Sequence, residues 1–208
     1  MPVRKFTGFF GLLAVVLVAG CASGPKTSVN NVYKAATIPN APYSKVLVVG
    51  VGQSERNVER FEIALVSEVG GAGTSAIANH IENGEGEVSE ASVKEAVERT
   101  GANAVVVTSL KQIDVDTTES AERVDVERTR RRDNLVDFFR YDYEDITTPV
   151  TVALTYNVVL TTEVFDGESG EKVYAFDSNT MDAETTFEVI LLESAAIAEQ
   201  LRSAGITR

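Results

Sequence analysis

The sequence predicts an α/β (α+β) fold: a mixed sheet in two or three layers, ordered βαβαβ, then a long antiparallel hairpin and a carboxy-terminal helix. Three observations carry that expectation. Two short runs, "VLVVGV" at 46–51 and "ANAVVVTSL" at 102–110, are almost wholly apolar, as strands buried on both faces are. Apolar residues at helical spacing lie between them and again at the end of the chain. From Val150 to Val164 every second residue is apolar except Thr162, which is the period of a half-buried strand.

The elements follow in order from Lys45. Ser54 is placed to cap a first helix, whose Val58, Phe61, Leu65 and Val69 share one face until Gly70 and Gly71 end it. A weak strand, "TSAIANHI", comes next. Ser89 is placed to cap a second helix, with Val88 and Val93 as a hydrophobic staple and Gly101 at its end. Alternating strand and helix favour parallel pairs with helices packed on the sheet. "DGESGEK" after the long strand is a turn signal, and "VYAFDSNT" can return as its partner. Asp182 is expected to open the last helix, with Phe187, Ile190, Leu191, Ile197, Ala198 and Leu201 as its apolar stripe and Gly205 as its stop. There is no internal repeat. A chain of this length buries roughly 70% of its unfolded surface, so one core over residues 45–208 suffices.

The first twenty residues form a leader. Arg4 and Lys5 are its basic region, and the apolar stretch from Phe9 to Ala19 is too short for a permanent span. It ends in Val18-Ala19-Gly20-Cys21, and Cys21 is the only cysteine of the 208 residues. That quartet resembles the lipobox of bacterial lipoproteins. The resemblance implies cleavage between Gly20 and Cys21 and acylation of Cys21, which anchors the chain to a membrane. Several acyl chains hold a protein stably where one does not. Ala22 and Ser23 follow, with no aspartate, which by the same resemblance implies the outer membrane and its periplasmic face. Residues 21–44 mix Ser, Asn, Thr and Pro without periodicity and read as a tether, about 75 Å long at roughly 3.3 Å per residue.

The formal charge is −12 and becomes more negative once Arg4 and Lys5 are removed. Such a chain is a poor partner for nucleic acid, whose binding rests on neutralising phosphates. Anionic lipid heads would repel it too, so the acyl group must do the holding.

The succession of "KVLVVGVG", a helix, a weak strand, "SEASVKEAVERTGANAVVVTSL", "EVFDGESGEKVYAF" and a final helix resembles a group of periplasmic lipoproteins. These share the α/β module of the TolB amino-terminal domain and the curli-secretion lipoprotein. The likeness spans about residues 45–205 and rests on structural motifs. It implies the fold and contact with other envelope proteins, and it supplies no catalytic residue.

Each candidate for chemistry has a plainer reading. Gly50 and Gly52 match the start of a dinucleotide loop, but Glu55 stands where its third glycine belongs, and a carboxylate there opposes a pyrophosphate. A tight strand-to-helix turn is the expectation. His80 is the only histidine and reads as a surface or sheet-edge residue. Asp114 and Asp116 are weak candidates for a cation, but their alternation with Ile113 and Val115 suits the wet face of a strand. Asp166, Glu168 and Glu171 fit turn chemistry, and Glu55 with Glu59 is a carboxylate pair such as any acidic helix offers. No catalytic constellation, metal site or cofactor is expected.

Residues 122–149 stand apart. Arg123, Arg128, Arg130, Arg131 and Arg132 are followed by Phe138, Phe139, Tyr141 and Tyr143. Arginine and aromatic residues are enriched where proteins bind one another. The segment reads either as a projecting arm that meets a partner or as a charged face whose phenylalanines fold back. The functional expectation is a non-catalytic, lipid-anchored envelope adaptor or assembly protein. The alternative is a binding protein for a small ligand or cation, using Asp114 and Asp116 or a pocket near Gly50 and Gly52.

Overall fold

The computed structural model describes residues 24–71, 73–83, 88–119, 123–128, 143–148 and 152–208. Its elements are β1 (Lys26–Lys34), β2 (Lys45–Val51), α1 (Glu55–Val69), β3 (Ser75–Ala78), α2 (Asn79–Asn83), α3 (Glu90–Thr100) and β4 (Ala104–Glu119). Then come β5 (Arg123–Arg128), β6 (Tyr143–Thr148), β7 (Val152–Asp166), β8 (Lys172–Ala183) and α4 (Thr186–Ser203).

Six strands form one sheet in the order β1-β8-β7-β4-β2-β3, while β5 and β6 pair with each other as a separate two-stranded sheet. β2 runs parallel to both β3 and β4, as the βαβαβ reading requires. β4–β7, β7–β8 and β8–β1 are antiparallel. The fold is therefore mixed α/β, with the long hairpin and carboxy-terminal helix where the sequence places them.

The helices make the sheet the middle of three layers. On one face α1 and α4 bring Phe61, Leu65, Ile197 and Leu201 onto Val46, Val48, Val106 and Phe176. On the other, Ala96 of α3 packs with Leu47, Val49 and Val105. β2 is buried on both faces, which is why its sequence is an unbroken apolar run.

Local signals act largely as expected. Ser89 accepts from the Ser92 backbone N–H at 3.1 Å while the Ser92 hydroxyl accepts from the Ser89 N–H, a reciprocal cap. Gly101 closes α3 in the left-handed region at φ 68°. Ser54 holds the N-cap position of α1 without a side-chain bond. The start of the last helix differs from expectation. Asp182 belongs to β8, and Thr185 is the cap, accepting from the Glu188 N–H at 3.1 Å. Two members of the expected stripe, Phe187 and Leu191, face solvent, and Val189 takes their place inside.

The expected tether is corrected over most of its length. Residues 26–34 form an edge strand, in register from Lys26↔Met181 to Lys34↔Tyr174. Thr27 bonds the Thr180 hydroxyl at 2.8 Å, and Asn31 donates to Asp177 Oδ2 at 2.7 Å. Tyr43, also inside the supposed tether, is fully buried; its hydroxyl donates to Asp166 Oδ2 and its N–H to the Ile206 carbonyl. The misreading has a physical source. An edge strand with one wet face shows little periodicity, and β1 also carries a register shift between Asn30 and Tyr33.

Asp166 ties this region to the β7–β8 turn. It also accepts from the backbone N–H groups of Glu168 and Ser169. Burial opposes its ionisation, yet the Ser169 N–H, the Tyr43 hydroxyl and the Glu168 N–H together hold the carboxyl below the usual aspartate range. This is the turn chemistry the sequence suggests.

Deleting residues 26–34 is expected to lower the urea midpoint and promote self-association, because the β8 edge is then bare. An unchanged midpoint in equilibrium unfolding would restore the tether reading.

Candidate functional site

The carboxyl end of β2 and the middle of β4 meet the amino-terminal turns of α1 and α4 around a groove of about 300 Å³. Such positions, outside the carboxyl ends of parallel strands, are where open α/β sheets usually bind ligands. Val58, Phe61, Leu110, Val158, Leu160 and Val189 make most of its lining apolar.

One wall is the Gly50–Gly52 turn, and its geometry explains both the glycine and the absence of a phosphate loop. A Cβ on Gly50 would lie 2.9 Å from Val58 Cγ1, so the strand end can approach α1 only without a side chain. The Gly50 N–H donates to Glu62 Oε1 at 2.8 Å. Glu62 is buried, and its Oε2 accepts from the His80 backbone N–H at 2.8 Å and lies 2.7 Å from His80 Nδ1. The donor a phosphate would need is therefore already held by an internal carboxylate. His80 is thus not a bystander at a sheet edge: it is half-buried at the start of α2 and locks that turn to α1. No sequence pattern pairs the two, since the fold alone brings them together.

A second buried carboxyl, Glu193 of α4, also lines the groove. Its Oε1 accepts from Thr180 Oγ1 at 2.7 Å, and that hydroxyl continues to Thr27 on β1. Among the described residues its Oε2 has no hydrogen-bond partner of good geometry, although the Ser178 hydroxyl is near enough to act on the carboxyl. Burial pushes the carboxyl above its ordinary value, against the Ser178 hydroxyl and the side chain and backbone of Thr180. The arrangement offers an apolar seat with one buried acid, suited to a nonpolar group that ends in a single polar atom. A second concavity of about 600 Å³ lies on the α3 face beside the β7–β8 turn, but Asp166 there is committed to the turn.

Above the groove, β4 and β7 continue together past the helices. Ile113↔Val158, Val115↔Tyr156, Thr117↔Leu154 and Glu119↔Val152 are successive partners on one face of this ribbon. Ile113 is 45%, Val115 48%, Leu154 42% and Val152 53% exposed. The sequence expects this alternation to be half-buried, whereas among the described residues no layer lies over the outer half. Phe187 and Leu191 on α4 add exposed apolar surface.

The remaining sequence candidates divide clearly. Asp114 and Asp116 are exposed on the other face of the ribbon, the first accepting from Gln112 Nε2 and the second from Asn157 Nδ2. Among the described residues, no three acidic, histidine or cysteine side chains come together to hold a metal. Arg128 and Tyr143 are cross-strand partners at the end of the β5–β6 hairpin. Gly20, Cys21, Arg130, Arg131, Arg132, Phe138, Phe139 and Tyr141 lie outside the described residues. Sequence reading misses Glu62 and Glu193; the only trace is an acid set among the apolar positions of a helix.

No protein-family model matches the chain, and no curated protein does. Among solved structures it is similar to the PelC dodecamer from Paraburkholderia phytofirmans, at TM-score 0.48 and 12% identity over 88% of this chain and 99% of that one. It is also similar to lipoprotein GNA1162 from Neisseria meningitidis, at TM-score 0.41 and 10% identity over 77% of this chain and 99% of that one.

Replacing Glu193 by Gln provides a test with a definite sign. A carboxyl raised in the folded state stabilises fully only below its unfolded value, and that contribution is lost as pH rises through the folded value. The Glu193→Gln protein should therefore gain on the native protein as pH rises above the ordinary glutamate value, by up to about 1.4 kcal/mol per pH unit until the raised folded value is passed. Urea unfolding at several pH values measures it, and a pH-independent difference would contradict the raised value.

Proposed function

We propose that the protein is a non-catalytic envelope adaptor or assembly factor, anchored through acylated Cys21 at the periplasmic face of the outer membrane and acting by protein contact. The observation that carries this reading is the ribbon. β4 and β7 run on beyond the helical layers, where they add nothing to the core, and lead directly into the arginine- and aromatic-rich 122–149 segment with its separate β5–β6 hairpin. A segment that leaves the body and carries arginines and aromatics has the composition of a contact surface. The lipobox-like quartet supplies the address.

A photo-crosslinking residue in the hairpin segment should capture a partner in cells. Replacing Arg130, Arg131, Phe138 and Phe139 together should abolish the adduct while leaving the thermal midpoint unchanged. Undiminished capture would remove the segment from the interface.

The groove favours a second reading, a binding site for a small, largely apolar ligand that meets Glu193 through one polar atom. Its support is the apolar lining together with a buried carboxyl oxygen that, among the described residues, has no partner of good geometry. A ligand specific for the native state at a hundred times its Kd stabilises by about 2.7 kcal/mol. A thermal shift with short-chain primary amines or alcohols, lost in Glu193→Ala, would establish it; no shift across the panel would count against it.

A further inference from the structure

We infer that the exposed apolar face of the β4–β7 ribbon rests on the lipid bilayer that holds the acyl anchor. The inference rests on Cys21 being the acylated residue and deepens that reading by fixing which end of the domain meets the membrane. The first argument is strand direction. β1 is antiparallel to β8, β8 to β7 and β7 to β4, so Lys26 enters the sheet at the end toward which β4 runs. That end carries the ribbon, the groove and the first turn of α4 with Phe187. The opposite end carries the β7–β8 turn and Ser203.

Length is the second argument. With β1 docked, only residues 22–25 separate Cys21 from the sheet. Five chain steps span at most about 18 Å. Lys26 pairs with Met181 at the level where Tyr156 meets Ala183 and Asp114 meets Asn157. Beyond that level β4 continues from Asp114 to Glu119, about 17 Å at the rise of a strand. The ribbon's outer end is thus no farther from the point where β1 enters the sheet than the leash can reach, so a tilt of the domain lays the face of the ribbon on the bilayer surface.

Chemistry is the third argument. One face of the ribbon leaves Ile113, Val115, Leu154 and Val152 open, with Thr117 opposite Leu154 and Glu119 opposite Val152 in the ladder, and the other carries Asp114 and Asp116. Apolar side chains laid at the headgroup boundary contribute through buried area and need no attraction to charged lipid. This suits a chain whose net charge is negative. A folded protein partner could cover the same face, but the leash argument places lipid there first.

The test uses the full chain, processed in cells, purified with its anchor and reconstituted in phosphatidylcholine vesicles, with acylation read by intact mass. An environment-sensitive fluorophore is attached in turn to Val115→Cys, Asp114→Cys and Ser203→Cys. Label at 115 should shift to the blue and be quenched several-fold more strongly by lipid-borne spin labels than label at 114 or 203. Equal quenching at 115 and 203, on protein shown to be acylated, would overturn the inference while leaving the anchor intact. An amino terminus shown to be unmodified would overturn both. Val115→Asp with Leu154→Asp, which leaves the core untouched, should abolish the spectral shift at a third label on Val152→Cys; a persistent shift there also counts against lipid contact.

Discussion

The pairing of β4 with β7, from Ala104↔Asp166 to Glu119↔Val152, is the constraint on which the rest of the molecule depends. At its lower end it joins a parallel half, built by βαβ crossovers, to an antiparallel half built by a hairpin and an edge strand. The parallel half can bury both faces because helices return over it, so its strands are short and wholly apolar. The antiparallel half needs no crossover helix and is free to grow. The same ladder therefore forms core where helices lie on it and becomes a free amphipathic ribbon where they stop. A shift between Leu110 and Gln112 keeps Ile113 and Val115 on the side of Val158 and Tyr156, so the apolar face stays continuous from groove to ribbon.

Two buried glutamates show how one residue type takes opposite roles. Glu62 has donors on both oxygens, and its carboxylate replaces the external anion that a Gly-x-Gly turn invites. It joins β2, α1 and α2 through hydrogen bonds, which suits a group that must be satisfied when water is excluded. Glu193 has a well-placed donor on only one oxygen, sits against apolar walls and retains its proton more readily. The first consolidates the fold; the second sets a buried, incompletely satisfied acid beside a groove.

The early part of the chain changes the mechanical picture of the protein. A long tether would let the domain swing freely and present any surface. With β1 zipped onto β8 and Tyr43 held between Asp166 and Ile206, the folded body begins at Lys26, five chain steps from the proposed anchor at Cys21. Orientation then follows from strand direction.

The sequence by itself determined the order of elements, the strands of the parallel half, the cap at Ser89 and the left-handed stop at Gly101, because each depends on neighbours a few residues away. It also marked Asp114 and Asp116 as a wet strand face and argued against a phosphate loop, though on Glu55 where Glu62 is the carboxylate that fills the site. Tertiary structure alone decided the rest. Whether "KTSVNNVYK" is leash or strand depends on an edge about 150 residues away, a pairing no local pattern encodes. Glu62 meets His80, and Glu193 meets Thr180, only when helices settle on the sheet. Alternation from Val152 onward announced an apolar face, but only the length of the helical layers determined that its outer half would remain uncovered.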